Sequence, residues 1–199
     1  MDASGSIGET NKPRAYRQVL VELIRAHTPH PAQGAEIGVA TGDTSALLLK
    51  TFPAVRLYLV DYWHAFPQRS AYWKSGDRRA RLSEHEHEAR YREARQKTVG
   101  LVGEAQAVLL RMMSGDAALK VGDGTLDFVF IDASHAYRDV WLDLRSWYPK
   151  LRPGGLFCGH DYTNPRDNDG VRRAVNNFFQ ANQLALNTAK EAIWWGLRK

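Results

Sequence analysis

The stretch AEIGVATGDTSALLLKTFPAVRLYLVD, residues 35–61, decides the fold. It begins with a short apolar run, turns at Gly42, continues as a helical run from Thr44 and ends with the apolar run RLYLVD. This order predicts a strand, a helix and a second strand. Because two strands that are joined by a helical crossover run parallel, the stretch predicts a parallel sheet with helices packed on it.

The same alternation continues along the chain. We predict further strands at 107–112, 126–132 and 155–161, with amphipathic helices between them. Ser83 and Glu86 form a capping-box pattern, which predicts a helix from Ser83 to about Gly100. The RPGG segment at 152–155 is predicted to be a turn between a helix and the next strand. The tail, residues 185–199, is predicted to form two strands around a turn that pair antiparallel at the sheet edge. The predicted fold is therefore α/β, Rossmann-like and doubly wound, with a mostly parallel sheet.

Composition limits the class of protein. The 199 residues suit one domain, preceded by a polar tail and an amphipathic helix over 1–33, with Pro29 and Pro31 ending that helix. Cys158 is the only cysteine, which excludes an intramolecular disulfide and a thiolate zinc cluster. We find no leader-like start and no membrane-spanning run, so we expect a soluble cytoplasmic protein. The net charge of +5 is compatible with nucleic acid, but the basic residues from 69 to 97 alternate with acidic ones, so a solvated helix is favoured.

Small residues surround the turn after the first strand. Glu36, Gly38, Ala40 and Gly42 lie there, and small residues let a ligand approach the backbone. Asp61 ends the second strand, a position from which a carboxylate binds ribose hydroxyls. Glu36 would repel a pyrophosphate but suits a ligand with a cationic amino-acid end, which favours S-adenosylmethionine over NAD. The simpler alternative is that the glycines only make a tight turn and that Asp61 caps a helix.

In these motifs the chain resembles the class I S-adenosylmethionine-dependent methyltransferases. The motif EIGVATGDTS corresponds to their first motif, LVDYW to the second and PKLRPGGLFCGHDY to the motif at strand five. The resemblance covers residues 34–199 as the methyltransferase domain, and it implies a seven-stranded sheet with an antiparallel final strand. Ala40 replaces a glycine that is common in the first motif.

The resemblance also implies roles for individual residues. Asp61 would bind the ribose, and Tyr62 or Trp63 would lie near the adenosine. Ser114 and Asp116 would lie beside the adenine. Together with Glu36, Gly38, Ala40 and Gly42, these residues form the predicted cofactor site for S-adenosylmethionine.

A second group of polar residues follows two neighbouring strands. Asp132 ends the strand at 126–132 and His135 follows three residues later, and His160 and Asp161 end the strand at 155–161. Two carboxylates and an imidazole can bind a divalent cation, and such a cation can lower the pKa of a substrate hydroxyl. His135 could then remove the proton as general base. The simpler alternative is that Asp132 caps a helix and that His160 is a hydrogen-bonded histidine at the sheet edge.

This spacing is similar to that of the metal-dependent small O-methyltransferases, which act on catechols or on macrolide and aminocoumarin sugars. In the catechol enzymes the metal ligands fall where Asp132, His160 and Asp161 stand, and a lysine base falls where His135 stands. The resemblance implies Mg²⁺ or Mn²⁺ as a second cofactor. His160 replaces an oxygen ligand, which weakens the case for Mg²⁺ and leaves Mn²⁺, Fe²⁺, Zn²⁺ or no metal open.

A histidine pair and a long aromatic segment are two further features of the sequence. His85 and His87 are two residues apart on a helix and point in different directions, so we reject a metal site there and assign both to an exposed charged face. The long segment 62–82 carries Trp63, Phe66, Tyr72 and Trp73, and we predict that it is a substrate lid.

The predicted function is an S-adenosylmethionine-dependent O-methyltransferase that acts on a phenolic or sugar hydroxyl of a small molecule. Asp132 and His135 are its predicted catalytic residues. The alternatives are a nicotinamide-dependent oxidoreductase with His135 as proton relay, a non-catalytic nucleotide-binding module and an RNA methyltransferase. Neither a membrane nor nucleic acid is the favoured partner. The oligomeric state stays open, since the first helix could pack on a second copy or over the cofactor site.

Overall fold

The computed structural model describes residues 15–68, 70–74 and 77–199. Residues 1–14 of the predicted tail and residues 69, 75 and 76 of the predicted lid lie outside the described residues. The helices are α1 Ala15–His27, α2 Asp43–Thr51, α3 Ala71–Lys74, α4 Glu84–Val102, α5 Ser114–Ala118, α6 Tyr137–Trp147 and α7 Arg166–Ala181. The strands are β1 Gln33–Ile37, β2 Arg56–Asp61, β3 Ala107–Arg111, β4 Leu126–Ile131, β5 Leu151–Gly159, β6 Asn187–Ala189 and β7 Ile193–Leu197. Short 3₁₀ turns occur at Arg78–Arg81 and Tyr148–Lys150.

The seven strands form one sheet in the order β3-β2-β1-β4-β5-β7-β6. The first five strands in this order are parallel, and β7 runs antiparallel to both β5 and β6. The predicted fold, including the antiparallel tail, is therefore confirmed. The chain reverses its direction of winding between β1 and β4. In an open α/β sheet the ligand crevice lies at this point, beyond the carboxyl ends of the strands.

Apolar residues cover both faces of the sheet because successive strand side chains point to opposite sides. Ile37 and Ile131 join the core under α5, α6 and α7, whereas Leu57 and Phe130 join the core under α1, α2 and α4. Leu20 of α1 is fully buried in the core under α1, α2 and α4. The first helix is therefore part of the same packed domain as the sheet.

Two local predictions need correction. The RPGG segment is part of β5 and not a turn, because the pairing of β4 with β5 shifts register between Leu126 and Phe128 and Gly154 adopts a positive φ of 75° within the strand. Helix α4 starts with the predicted capping box at Ser83, but it continues past Gly100. It stops at Gly103, whose φ of 82° cannot continue a helix.

Within the described part of the chain, no helix combines the length and the apolar character needed to cross a bilayer.

Candidate active site

Two adjoining cavities open at the carboxyl ends of the central strands. The β1–β2 cavity has a volume of about 500 Å³ and extends from the β1 turn along β2 to the start of α5. The β4–β5 cavity has a volume of about 430 Å³ and lies among α1, the start of α2 and the ends of β4 and β5. Five residues line both cavities: Gly38, Ala40, Arg79, Arg90 and Asp132. The two predicted groups of site residues therefore meet in one cleft.

Asp61 organises the β1–β2 cavity. Its carboxylate accepts hydrogen bonds from the backbone N–H of Ala40 at 2.8 Å and of Trp63 at 3.3 Å. The indole N–H of Trp63 in turn donates to the Ala40 carbonyl at 2.8 Å. These bonds hold Ala40 and Trp63 in left-handed conformations, with φ values of 56° and 45°. Ala40 thus occupies a backbone conformation that suits the glycine it replaces.

Most of the predicted cofactor residues line this cavity. They are Gly38, Ala40, Asp61, Tyr62, Trp63, Ser114 and Asp116. Glu36 lines the β4–β5 cavity instead. Gly42 lines neither of these two cavities; it precedes α2 with a φ of 81° and packs against Ala94 of α4.

Gly38 joins the two groups of site residues. A Cβ on Gly38 would lie 2.2 Å from the backbone oxygen of Asp132, and the φ of Gly38 is 95°. Any larger residue at this position would therefore push β1 and β4 apart where the two groups meet.

We expect Gly38→Ala to lower the free energy of unfolding by about 2 kcal/mol more than Gly103→Ala does. Gly103 is the matched control, because it also has a positive φ but open space around its Cβ position. Equal losses in urea unfolding would show that the close approach to Asp132 carries no cost.

Acidic and basic side chains alternate along the β4–β5 cavity. His135 Nε2 lies 2.8 Å from Asp161 Oδ2, and His135 Nδ1 lies 3.5 Å from Asp77 Oδ2. His160 Nδ1 lies 3.5 Å from Asp161 and 3.6 Å from Asp132. The structure thus brings together all four residues that the sequence analysis singled out after β4 and β5. Asp77, from the predicted lid, is a fifth member that the sequence analysis missed.

The close contacts shift the protonation of these groups. The Asp161 and Asp77 carboxylates raise the pKa of His135 to about 9, against the opposing effect of burial. Burial lowers the pKa of His160, but Asp132 and Asp161 outweigh it and raise that pKa to about 9 as well. Burial acts to raise the pKa of Asp161, yet its bonds to the two histidines hold it well below its usual range. Both imidazoles are therefore cationic at neutral pH in the free chain.

Three of these residues can serve as ligands of one cation. One oxygen each of Asp132 and Asp161 and one ring nitrogen of His160 lie within 4.8 Å of one another, and no other such group occurs among the described residues. Neighbours fix two of the three: Asn164 donates to Asp161 at 2.9 Å, and the Tyr16 ring stacks on His160 at 4.3 Å. A mixed nitrogen and oxygen set of this kind fits Mn²⁺, Fe²⁺ or Zn²⁺ better than Mg²⁺. Metal binding itself stays a prediction.

Glu36 is buried beside this cluster, and its carboxyl group should make the stability of the fold depend on pH. Burial raises the pKa of its carboxyl to about 8, although Ser45 donates a hydrogen bond to it. The folded chain then holds this proton more tightly than the unfolded chain does, so the contribution to stability is complete below about pH 4.5 and is lost as the pH rises through about 8. We expect the free energy of unfolding to fall by about 3 kcal/mol between about pH 5 and about pH 8. Glu36→Gln should remove this part of the decline in urea unfolding; an identical pH dependence in both proteins would contradict it.

Several cavity residues gave no clear sequence signal. Tyr16 and Arg17 reach the β4–β5 cavity from α1, and Arg79 and Arg90 reach both cavities. Asp143 lines the β1–β2 cavity, and burial raises its pKa to about 7. Of these, only Asp143 could have been found from the sequence, because it is an acid on the apolar face of α6.

The prediction that His85 and His87 belong to an exposed charged face is confirmed for His85 and wrong for His87. The two side chains point in different directions, and His85 is exposed. His87 is only 6% exposed, lines the β1–β2 cavity and has a pKa lowered by burial, so it does not belong to a charged surface. Its Nε2 has no hydrogen-bond partner among the described residues.

The described part of the predicted lid lines the β1–β2 cavity and reaches the β4–β5 cavity at one residue. Phe66, Ser70 and Tyr72 line the β1–β2 cavity, and Arg79 lines both. Asp77 is 8% exposed and contacts His135. The segment is thus tied to the acid–histidine cluster, while its function as a lid stays a prediction.

A comparison with protein families shows to which family the chain belongs. A family model described as a methyltransferase domain matches residues 35–162, well over half of the chain. The chain belongs to the methyltransferase domain family. The match begins at β1 and ends just beyond Asp161, so it includes both groups of site residues. The sequence-based identification as a class I S-adenosylmethionine-dependent methyltransferase is confirmed.

Solved structures resemble this methyltransferase along most of its length. The O-methyltransferase NovP is similar with a TM-score of 0.66 at 20% identity, covering 92% of this chain and 78% of that one. The O-methyltransferase TomG from Streptomyces achromogenes, solved in complex with S-adenosylmethionine, gives a TM-score of 0.61 at 16% identity, covering 92% and 79%. The calicheamicin methyltransferase CalS11 gives 0.59 at 17% identity, covering 93% and 80%. At these identities the similarity concerns the fold.

Among curated proteins, this methyltransferase matches the uncharacterized protein y4gI of Sinorhizobium fredii. The two are 36% identical over 53 residues. This match covers 27% of this chain and only 6% of that protein.

Proposed function

We propose that this methyltransferase transfers a methyl group from S-adenosylmethionine to a hydroxyl group of a small phenol or sugar. One observation carries the proposal: Asp132 lines both cavities, so a donor in one cavity and an acceptor in the other would meet beside it. TomG, which shares the fold, is an O-methyltransferase solved with S-adenosylmethionine, and this also supports the proposal.

The β1–β2 cavity fits the adenosine of the cofactor. Its volume of about 500 Å³ lies within the usual range for ligand sites. Asp61 would accept hydrogen bonds from the ribose hydroxyls, and Ser114 and Asp116 would lie beside the adenine. Glu36 would bind the cationic amino-acid end from the adjoining cavity, where the ammonium group would displace the proton that burial holds on Glu36 in the free chain. S-Adenosylmethionine supplies a methyl group that its sulfonium activates for direct transfer.

The β4–β5 cavity would hold the acceptor. Catalysis by the chain is then mainly positioning, because a hydroxyl held in line with the methyl group needs no covalent intermediate. Asp132 and Asp161 would orient the hydroxyl. His135 is the proposed acceptor of its proton, and Asp161 and Asp77 hold the imidazole in place. Because these carboxylates raise the pKa of His135 to about 9, only the chains in which the imidazole is neutral can accept the proton, and methyl transfer should speed up as the pH rises towards 9.

The same cavity fits a divalent cation. Asp132, His160 and Asp161 would hold it, with Mn²⁺ favoured over Mg²⁺ by the imidazole ligand. A cation there would lower the pKa of the acceptor hydroxyl.

Calorimetry tests these assignments. We expect S-adenosylmethionine and S-adenosylhomocysteine to bind and NAD not to bind, with Mn²⁺ binding lost in a His160→Ala variant. Binding of NAD alone would overturn the cofactor assignment, and Mn²⁺ binding that survives in His160→Ala would overturn the metal site. Salt-dependent retention of RNA would favour an RNA acceptor instead.

A further inference from the structure

We propose that the hydroxylated acceptor carries an anionic group, a carboxylate or a phosphate, and that Arg79 and Arg90 bind this group where the two cavities join. The inference deepens the proposed function and rests on it for the position of the acceptor. Neither arginine has a role in the methyl transfer as proposed above.

The first argument is position. Arg79 comes from the 3₁₀ turn Arg78–Arg81 of the predicted lid, and Arg90 comes from the second turn of α4. Both line both cavities, as Asp132 does. A molecule whose hydroxyl lies at Asp132 therefore comes within the part of the cleft that these two arginines line.

The second argument is the lack of a partner. Neither guanidinium group makes a hydrogen bond or an ion pair with any of the described residues. Arg90 is half-buried, and Arg79 is exposed at the mouth of the cleft. Arg17, the third arginine of the β4–β5 cavity, is in contrast bonded to Thr44 and paired with Asp43. The planar guanidinium group matches a carboxylate or a phosphate with two parallel hydrogen bonds.

The third argument is the occupation of the nearby acids. Asp161 contacts both histidines, and Asp43 is paired with Arg17 and Lys97. Asp61 is held by two backbone N–H groups. These three carboxylates thus already have partners. Asp77, which contacts His135, lies within electrostatic reach of Arg79, and Arg90 has no acidic partner among the described residues, so the hydrogen-bonding groups of both guanidinium groups are left for a ligand.

The carboxylate of the cofactor itself is the competing occupant. Arg17 lies within electrostatic reach of Glu36, the proposed partner of the cofactor ammonium group, and Thr44 is bonded to Arg17. Those residues suit the amino-acid end of the cofactor better than Arg79 and Arg90, which line the other cavity as well. The test therefore measures cofactor binding and anion binding separately.

The probes are two pairs of small molecules that differ in one anionic group: protocatechuate with catechol, and phenyl phosphate with phenol. Calorimetry measures their affinity for the wild-type chain with and without saturating S-adenosylhomocysteine, with EDTA present so that a metal cannot hold the diol. The variants are Arg79→Gln and Arg90→Gln. Arg92→Gln is the control, because Arg92 lies on the same helix, is exposed and pairs with Glu88.

We expect at least one anion to bind about tenfold more tightly than its neutral counterpart, and each arginine variant to lose most of that preference. The pair that responds distinguishes a carboxylate from a phosphate. Arg92→Gln should keep the preference, and the affinity for S-adenosylhomocysteine should not change in any variant.

Four results would overturn either the anion site or the proposed function. No preference for either anion, or a preference that survives in both arginine variants, overturns the inference. Weaker S-adenosylhomocysteine binding in the variants, with the anion preference intact, assigns the arginines to the cofactor and also overturns it. If the wild-type chain does not bind S-adenosylhomocysteine but keeps an arginine-dependent anion preference, the proposed function fails and the anion site stands.

Discussion

A His135→Ala variant is expected to lose about 3–5 kcal/mol of stability together with its methyl transfer activity. The His135 side chain is 5% exposed and lies between the carboxylates of Asp77 and Asp161, which are 6% and 21% exposed. Removing the imidazole leaves two poorly solvated carboxylates without a cation between them. The cost is therefore the uncompensated charge more than the lost contacts.

Urea unfolding at neutral pH measures this loss, and a His85→Ala variant is the control, since His85 is exposed on α4. Unfolding of His135→Ala at the wild-type urea concentration would show that the ion pairs contribute nothing. Turnover at a temperature where the variant is still folded tests the proposed base separately. Full turnover there would remove His135 from the role of proton acceptor.

An Asp61→Ala variant is expected to bind S-adenosylhomocysteine roughly a hundredfold more weakly, which corresponds to about 3 kcal/mol. The Asp61 carboxylate has two functions, and the alanine substitution removes both. It would accept the ribose hydroxyls, and it holds the backbone N–H groups of Ala40 and Trp63. Without it, both residues lose the contact that supports their left-handed conformations.

Calorimetry with Asp61→Ala, Asp61→Asn and Asp123→Ala separates these functions. Asp123 is an exposed acid paired with Lys150, and its removal should not affect cofactor affinity. Asp61→Asn keeps the size of the side chain and one acceptor oxygen, so it should lie between the wild type and Asp61→Ala. If Asp61→Ala and the wild type bind S-adenosylhomocysteine equally, Asp61 does not belong to the cofactor site.

The local pattern of the sequence was sufficient for the strands, the parallel sheet and the antiparallel tail. It was also sufficient for the convergence of Asp132, His160 and Asp161, because the carboxyl ends of neighbouring parallel strands lie at one edge. Local pattern failed at the RPGG segment. A register shift between two strands depends on both partners, and the turn-forming residues of one segment do not reveal it.

The sequence by itself determined that the chain is a methyltransferase with a nucleotide-type cleft beside an acid–histidine cluster. Only the tertiary structure decided which distant side chains complete that cleft. Asp77 and Arg79 come from the predicted lid and Arg90 from α4, and Tyr16 comes from α1. Their directions depend on how these segments pack over the sheet, and that packing results from contacts between residues far apart in the chain. Periodicity and motif spacing report only on neighbours along the chain, so they identify the strand ends of the site but not the side chains that close over it.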